Sequence, residues 1–152
     1  MLSVILVIRV LISVNDAYLP NGNFAGRVPS PYLFVDCTFV PASGVSSVHM
    51  VVACDKQQPA AVGRFEIEPA ADYPDRYGIV DSQSPSHRSM IDELKRMCPR
   101  RGFKNNDFMR FDRIKGNVTA ADDYRVYYDA VRRSVLLTKL TSTPDSGWWN
   151  RA

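Results

Sequence analysis

Apolar and polar positions follow two rhythms along this chain. Over residues 45–57, Val45, Val48, Val51 and Val52 recur at helical spacing beside Met50 and Cys54, which predicts a helix capped by Ser43 or Ser46. Ser84-Pro85 predicts a second start, because proline is tolerated in a first helical turn. Met90, Ile91, Leu94, Met97 and Cys98 then form one apolar face, opposite Arg88, Lys95 and Arg96, and Pro99 ends the helix. Elsewhere the period is two. Residues 32–35 are a short β-prone run leading to Cys37, and Phe65-Glu66-Ile67-Glu68 alternates as a half-exposed strand does. Residues 108–114, 124–128 and 134–141 predict three more strands, the last two joined by a hairpin at 129–133. Alternation puts Arg125 and Tyr127 on the face opposite Val126 and Tyr128. Helices followed by an antiparallel sheet predict an α+β domain.

The ends of the chain read differently. Residues 2–14 are almost wholly apolar, interrupted by Arg9, and run into Asn15-Asp16-Ala17. That run is short for a membrane span and suits a signal peptide at 1–17, the alternative being a helix or strand built from it. Residues 18–31 are rich in proline, glycine and asparagine and predict a flexible arm. The domain then occupies 32–143, followed by a tail at 144–152 that carries Trp148-Trp149.

Composition narrows the picture modestly. The 152 residues carry a net charge of +3 and a pI near 8.8, far from a histone-like balance. Basic residues gather at Arg96, Arg100, Arg101, Lys104, Arg110, Arg113 and Lys115, which suits either phosphate or a solvated face. His49 and His87 stand apart and no zinc-ligand spacing occurs, so neither a metal nor a cofactor is expected. The three cysteines fit one disulfide and one thiol. Cys37–Cys98 is the preferred pair, with Cys54 buried as a thiol in the first helix. Asn117-Val118-Thr119 is a glycosylation sequon, meaningful in a secreted chain.

The densest chemistry lies in Tyr73-Pro74-Asp75-Arg76-Tyr77, two phenols, a carboxylate and a guanidinium on a proline-stiffened turn. A strand ending at Cys37, the run Val48-His49-Met50-Val51-Val52-Ala53 and this YPxxY stretch together resemble the guanyl-specific microbial ribonucleases of fungi. Phe111-Asp112-Arg113-Ile114, Asp123-Tyr124-Arg125-Val126-Tyr127-Tyr128 and Leu136-Leu137-Thr138-Lys139 follow in the order of that family's later strands, so the resemblance spans roughly 32–143. It implies a microbial-ribonuclease-like fold: one main helix packed on a twisted antiparallel sheet, with the second helix as an insertion.

The same resemblance implies a damaged site. Where the family has a histidine after Tyr-Pro this chain has Asp75. Where it has a glutamate base before an aromatic residue the chain has Arg110, and in place of its acid histidine stands Lys139. A lysine near its ordinary pKa of about 10.4 is a slow proton donor. Catalysis is therefore not expected. Tyr73, Arg76, Arg125 and Lys139 remain as the residues to hold RNA or phosphate. The pattern is similar to secreted ribonuclease-like effectors of powdery-mildew type, their aromatic-x-Cys motif answered imperfectly by Val35-Asp36-Cys37. That implies a secreted monomer, delivered into a host cell, whose partner is RNA, the ribosome or a host protein, with no membrane association after signal cleavage. Two alternatives stand beside it: an active endoribonuclease forming a 2′,3′-cyclic phosphate, and an unrelated secreted α+β interaction protein.

Overall fold

A computed structural model describes residues 19–42, 45–116 and 122–140. Eight antiparallel strands follow one another in chain order and close on themselves as a barrel. They are β1 (Gly22–Pro29), β2 (Tyr32–Ala42), β3 (Val45–Ala53), β4 (Ala61–Ala70), β5 (Tyr73–Ile79), β6 (Arg110–Ile114), β7 (Asp123–Tyr128) and β8 (Arg133–Lys139). Among the described residues one α-helix, α1 (Ser84–Met97), lies between β5 and β6. The expected α+β architecture, a main helix on a twisted antiparallel sheet with a second helix inserted, is thereby overturned.

The correction is sharpest at residues 45–53. Val48, Met50 and Val52 point inward, and the residues between them are only partly covered, so the period is two along all of β3. Valines at 48, 51 and 52 satisfy a helical template as well as a strand one. Their branched Cβ and two flanking strands decide for the strand. Residues 22–29, expected in a flexible arm, form β1, whose Phe24 is buried in the core. Tyr73 to Tyr77 is likewise strand rather than turn. The later strands, the 129–133 hairpin and the helix starting at Ser84 lie where the pattern predicts them.

Closure rests on β1 meeting β8, where Phe24 pairs with Lys139 and Ala25 with Thr138. Gly26 makes this approach possible. A Cβ there would sit 1.9 Å from the Leu136 carbonyl oxygen, inside the backbone of the partner strand.

Eight strands leave a lumen that side chains can fill, and here they do. Phe24, Phe39, Phe111 and Tyr124 pack edge-on and tilted, with ring centroids 4.9–5.7 Å apart. Leu33, Val35, Cys37, Phe65, Ile67, Tyr77, Val126, Val135 and Leu137 are buried with them. In an up-and-down barrel the strand starts and ends alternate, so the β5–β6 connection, and α1 with it, belongs to one end. The outward residues Val62, Arg64, Glu66 and Glu68 of β4 are exposed, so α1 meets that strand on its inward row. Its buried face, His87, Met90, Ile91, Leu94 and Met97, joins the barrel core, and His87 packs against Phe65.

A disulfide ties this plug to the wall. It joins Cys54, just beyond β3, to Cys98 at the end of α1, and Cys37 is the buried free thiol. The expected Cys37–Cys98 pair is therefore wrong. With 45–53 extended rather than helical, Cys37 points into the lumen and Cys54 emerges at the helix end.

Candidate functional site

The structure scatters the residues expected to form one cleft. Tyr77 and Phe111 face inward, so Arg76, Arg110, Asp112, Arg125 and Tyr127 all project from the outer face of β5–β7. Asp112 is the hub. It pairs in register with Arg76 on one side and Arg125 on the other. Its carboxylate accepts from Arg76 Nε at 3.1 Å and from Arg110 Nη2 at 2.8 Å. Partial burial alone would raise its pKa. The hydrogen bonds from Arg110 and Arg76 outweigh that and hold it below the usual aspartate range.

Each of those two arginines also stacks on a tyrosine. Arg76 lies 4.0 Å over the Tyr73 ring, and Arg110 lies 4.5 Å over the Tyr127 ring. Tyr73 is 54% exposed, so one guanidinium–phenol sandwich stands open to solvent. Arg125 completes the row, its Nη1 3.5 Å from Ser134 Oγ. Four of the residues singled out in the sequence, Tyr73, Arg76, Arg110 and Arg125, are thus neighbours, on a convex outer wall rather than in a cleft. Tyr127 was missed as a member of this group. Strand alternation already placed Tyr127 beside Arg125, and that was the available signal.

Asp75 and Lys139 lie elsewhere. Both belong to the barrel end opposite α1, because β5 starts there and β8 finishes there. Asp75 is 3.5 Å from Arg113 Nε and 3.8 Å from Lys115 Nζ. Arg113 also lies 3.9 Å from Asp122 and donates to the Tyr77 hydroxyl at 2.5 Å. Its side chain is only 9% exposed. Nearby, burial pushes the Tyr124 phenol up to about 12, against the pull of Arg113. These groups close the mouth of the barrel with charge. Lys139 pairs with Phe24 and reaches over Gly22 on the β1 side, so it joins neither Asp75 nor Arg125. An acid and a base are not assembled from Asp75, Arg110 and Lys139.

Cys37 has no catalytic setting. Burial, and then the charge of Asp36, raise its thiol pKa well above normal, which keeps it protonated and unreactive. Among the described residues no group of three His, Cys, Asp or Glu side chains is placed to hold a metal ion. No helix among them is long and apolar enough to cross a membrane. The sequon at Asn117, the apolar stretch 1–17 and the tail with Trp148-Trp149 fall outside the described residues.

Comparison with protein-family models, with curated proteins and with solved structures found no match to this chain, microbial ribonucleases included.

Proposed function

We propose that this chain is a secreted, non-catalytic binding protein whose outer β5–β7 wall holds single-stranded RNA. The observation that carries the reading is the pair of guanidinium–tyrosine stacks on one strand face, Arg76 on Tyr73 and Arg110 on Tyr127, with Arg125 alongside. Exposed aromatic rings offer bases a stacking surface, and arginines beside them meet the phosphates between successive bases. Asp112 keeps the two stacked guanidiniums in place before any ligand arrives. The Cys54–Cys98 disulfide supports an oxidising compartment and hence secretion. Delivery into a host cell rested on the ribonuclease-like fold and is not carried further.

The test is retention of a labelled oligouridylate by the purified protein across a salt series. Contacts from Arg76, Arg110 and Arg125 give a slope of log K against log salt of about −2, at roughly −0.7 per phosphate on a single strand. Tyr73→Ala is expected to weaken binding by about 1–3 kcal/mol, the usual worth of one base stack. No retention at low salt, or retention unchanged in Arg110→Ala/Arg125→Ala, ends this reading.

One observation favours a protein partner as the second reading. Asp112 neutralises part of the arginine charge, and arginine with tyrosine is also the composition of protein-interface anchors. Binding that ignores salt and RNA, yet is lost in Tyr73→Ala, would select it.

A further inference from the structure

A second cationic feature lies at the helix end of the barrel, away from the outer wall. A cavity of about 200 Å³ opens there between the turn after α1 and the β7–β8 hairpin, lined by Arg100, Arg101, Phe103, Tyr128, Asp129 and Arg133. Its volume is below that of drug-sized pockets, so its occupant is small.

The walls are held in position. Arg101 follows the disulfide residue Cys98, and its Nη1 donates to the carbonyl oxygens of Tyr32 and Cys54. Its guanidinium lies 5.4 Å over the Phe103 ring. Phe103 packs on Phe108, and Phe108 stacks on Tyr128 with a centroid distance of 5.7 Å, giving an aromatic back wall. The acids beside the cavity are already engaged. Asp129 takes Lys104 Nζ at 2.6 Å and also lies 3.8 Å from Arg133 Nε, and the buried Asp107 accepts from the Lys104 backbone N–H at 2.8 Å. Asp129 is divided between Lys104 and Arg133, so Arg101 and Arg133 border the same space with their charge offset only in part. Burial depresses the Arg101 pKa most, and the repulsion of Arg133 adds to this against the opposing pull of Tyr128. An anion between them would relieve both costs.

The rim carries strain as well. Asp129, Ala130 and Val131 have φ of 53°, 53° and 68°, a left-handed run without a glycine. For β-branched Val131 this conformation is costly, and such strain persists where surrounding structure holds it, often beside ligands.

We infer that this cavity binds a phosphomonoester dianion, its oxygens held by Arg100, Arg101 and Arg133 and its small organic group set against Phe103 and Tyr128. The site does not depend on the RNA-binding wall, and failure of either leaves the other standing. Two sources share this chemistry, a free small phosphate ester and the 5′-phosphate of a nucleic-acid strand.

The experiment is a ¹⁵N NMR titration of the full chain with inorganic phosphate, ribose 5-phosphate, and a dinucleotide with and without its 5′-phosphate, each at ionic strength matched with chloride. Saturable shifts confined to the amides of Gly102, Phe103, Asp129 and Arg133 are expected, with at least tenfold weaker binding in Arg100→Gln/Arg133→Gln. Both positions are exposed and leave Arg101 in place, and unchanged amide positions elsewhere would certify the fold. Saturation by ribose 5-phosphate assigns the free ester. Saturation only by the phosphorylated dinucleotide assigns the strand end. Linear shifts with every probe, or equal affinity in the double variant, overturn the inference.

Discussion

The two ends of this barrel are closed by different physics. At one end α1 lays Met90, Ile91, Leu94 and Met97 against the core, and a covalent bond pins its last turn to the end of β3. At the other, Arg113 sits between Asp75 and Asp122 and donates to Tyr77 above a layer of aromatic rings. The apolar plug gains from burial of area, which salt barely affects. The charged closure gains from a few directed contacts in a partly solvated place, where screening and solvation take back much of the Coulomb energy. The arrangement teaches that the helix end is the mechanically fixed one. The cavity proposed to bind a phosphomonoester borders structure that the disulfide steadies.

The largest expected effect comes from cutting the tether. The bond joins residues 44 apart, and loop-closure entropy for that span is worth about 4 kcal/mol. Cys54→Ser/Cys98→Ser should lose about that much in denaturant unfolding, and the amides of α1 should exchange faster than those of the strands. A loss below about 1 kcal/mol, or uniform exchange, would mean that burial alone seats the helix.

At the other end, Arg113→Met keeps the apolar stem and deletes the donor to Tyr77. A buried hydroxyl losing its partner costs about 1–3 kcal/mol. Asp75 and Asp122 remain about 40% exposed, so solvent absorbs most of their lost pairing. The contrast between ends predicts that raising salt narrows the gap between Arg113→Met and the parent, and leaves the disulfide effect in place. A salt-independent gap would assign Arg113 a packing role instead.

The smallest effect concerns pH, and it brings a titrating group into the apolar end. His87 is buried, and its Nε2 lies 2.8 Å from the Asp107 carbonyl, which only accepts, so Nε2 carries the proton. Burial lowers its pKa below the ordinary 6.5, against the pull of that carbonyl. The folded state therefore binds fewer protons than the unfolded one just below that value. The contribution is fully present above pH about 6.5 and is lost as pH falls through the lower folded pKa. Unfolding of the parent and His87→Gln should differ in slope below pH about 6.5 and run parallel above it. Parallel curves throughout would show that His87 does not titrate on unfolding.

Much of the local structure was legible in the chain. Ser84-Pro85 with Met90, Ile91 and Leu94 marks α1 by period and by the proline in its first turn. Arg125 and Tyr127 opposite Val126 and Tyr128 mark β7 by alternation, and through it half of the arginine–tyrosine wall. These features are short-range: each depends on side chains a few residues apart. Over 45–53 the same local evidence misled, because closely spaced valines satisfy both periods and the choice falls to the neighbouring strands.

What only the tertiary structure decided is long-range. Thr138 reaches the carbonyl of Ala25 across 113 residues, and Gly26 admits the Leu136 backbone at that same seam. Neither residue announces its partner, because strand pairing is made by backbone groups that every residue carries. That closure turns a sheet with a helix into a barrel with a plug. With β3 extended, Cys37 points inward and Cys54 reaches Cys98, and the strand order parts Asp75 and Lys139 from Arg125. The sequence alone determined which residues could carry charge, stack or cross-link. The registers of the paired strands decided which of them meet.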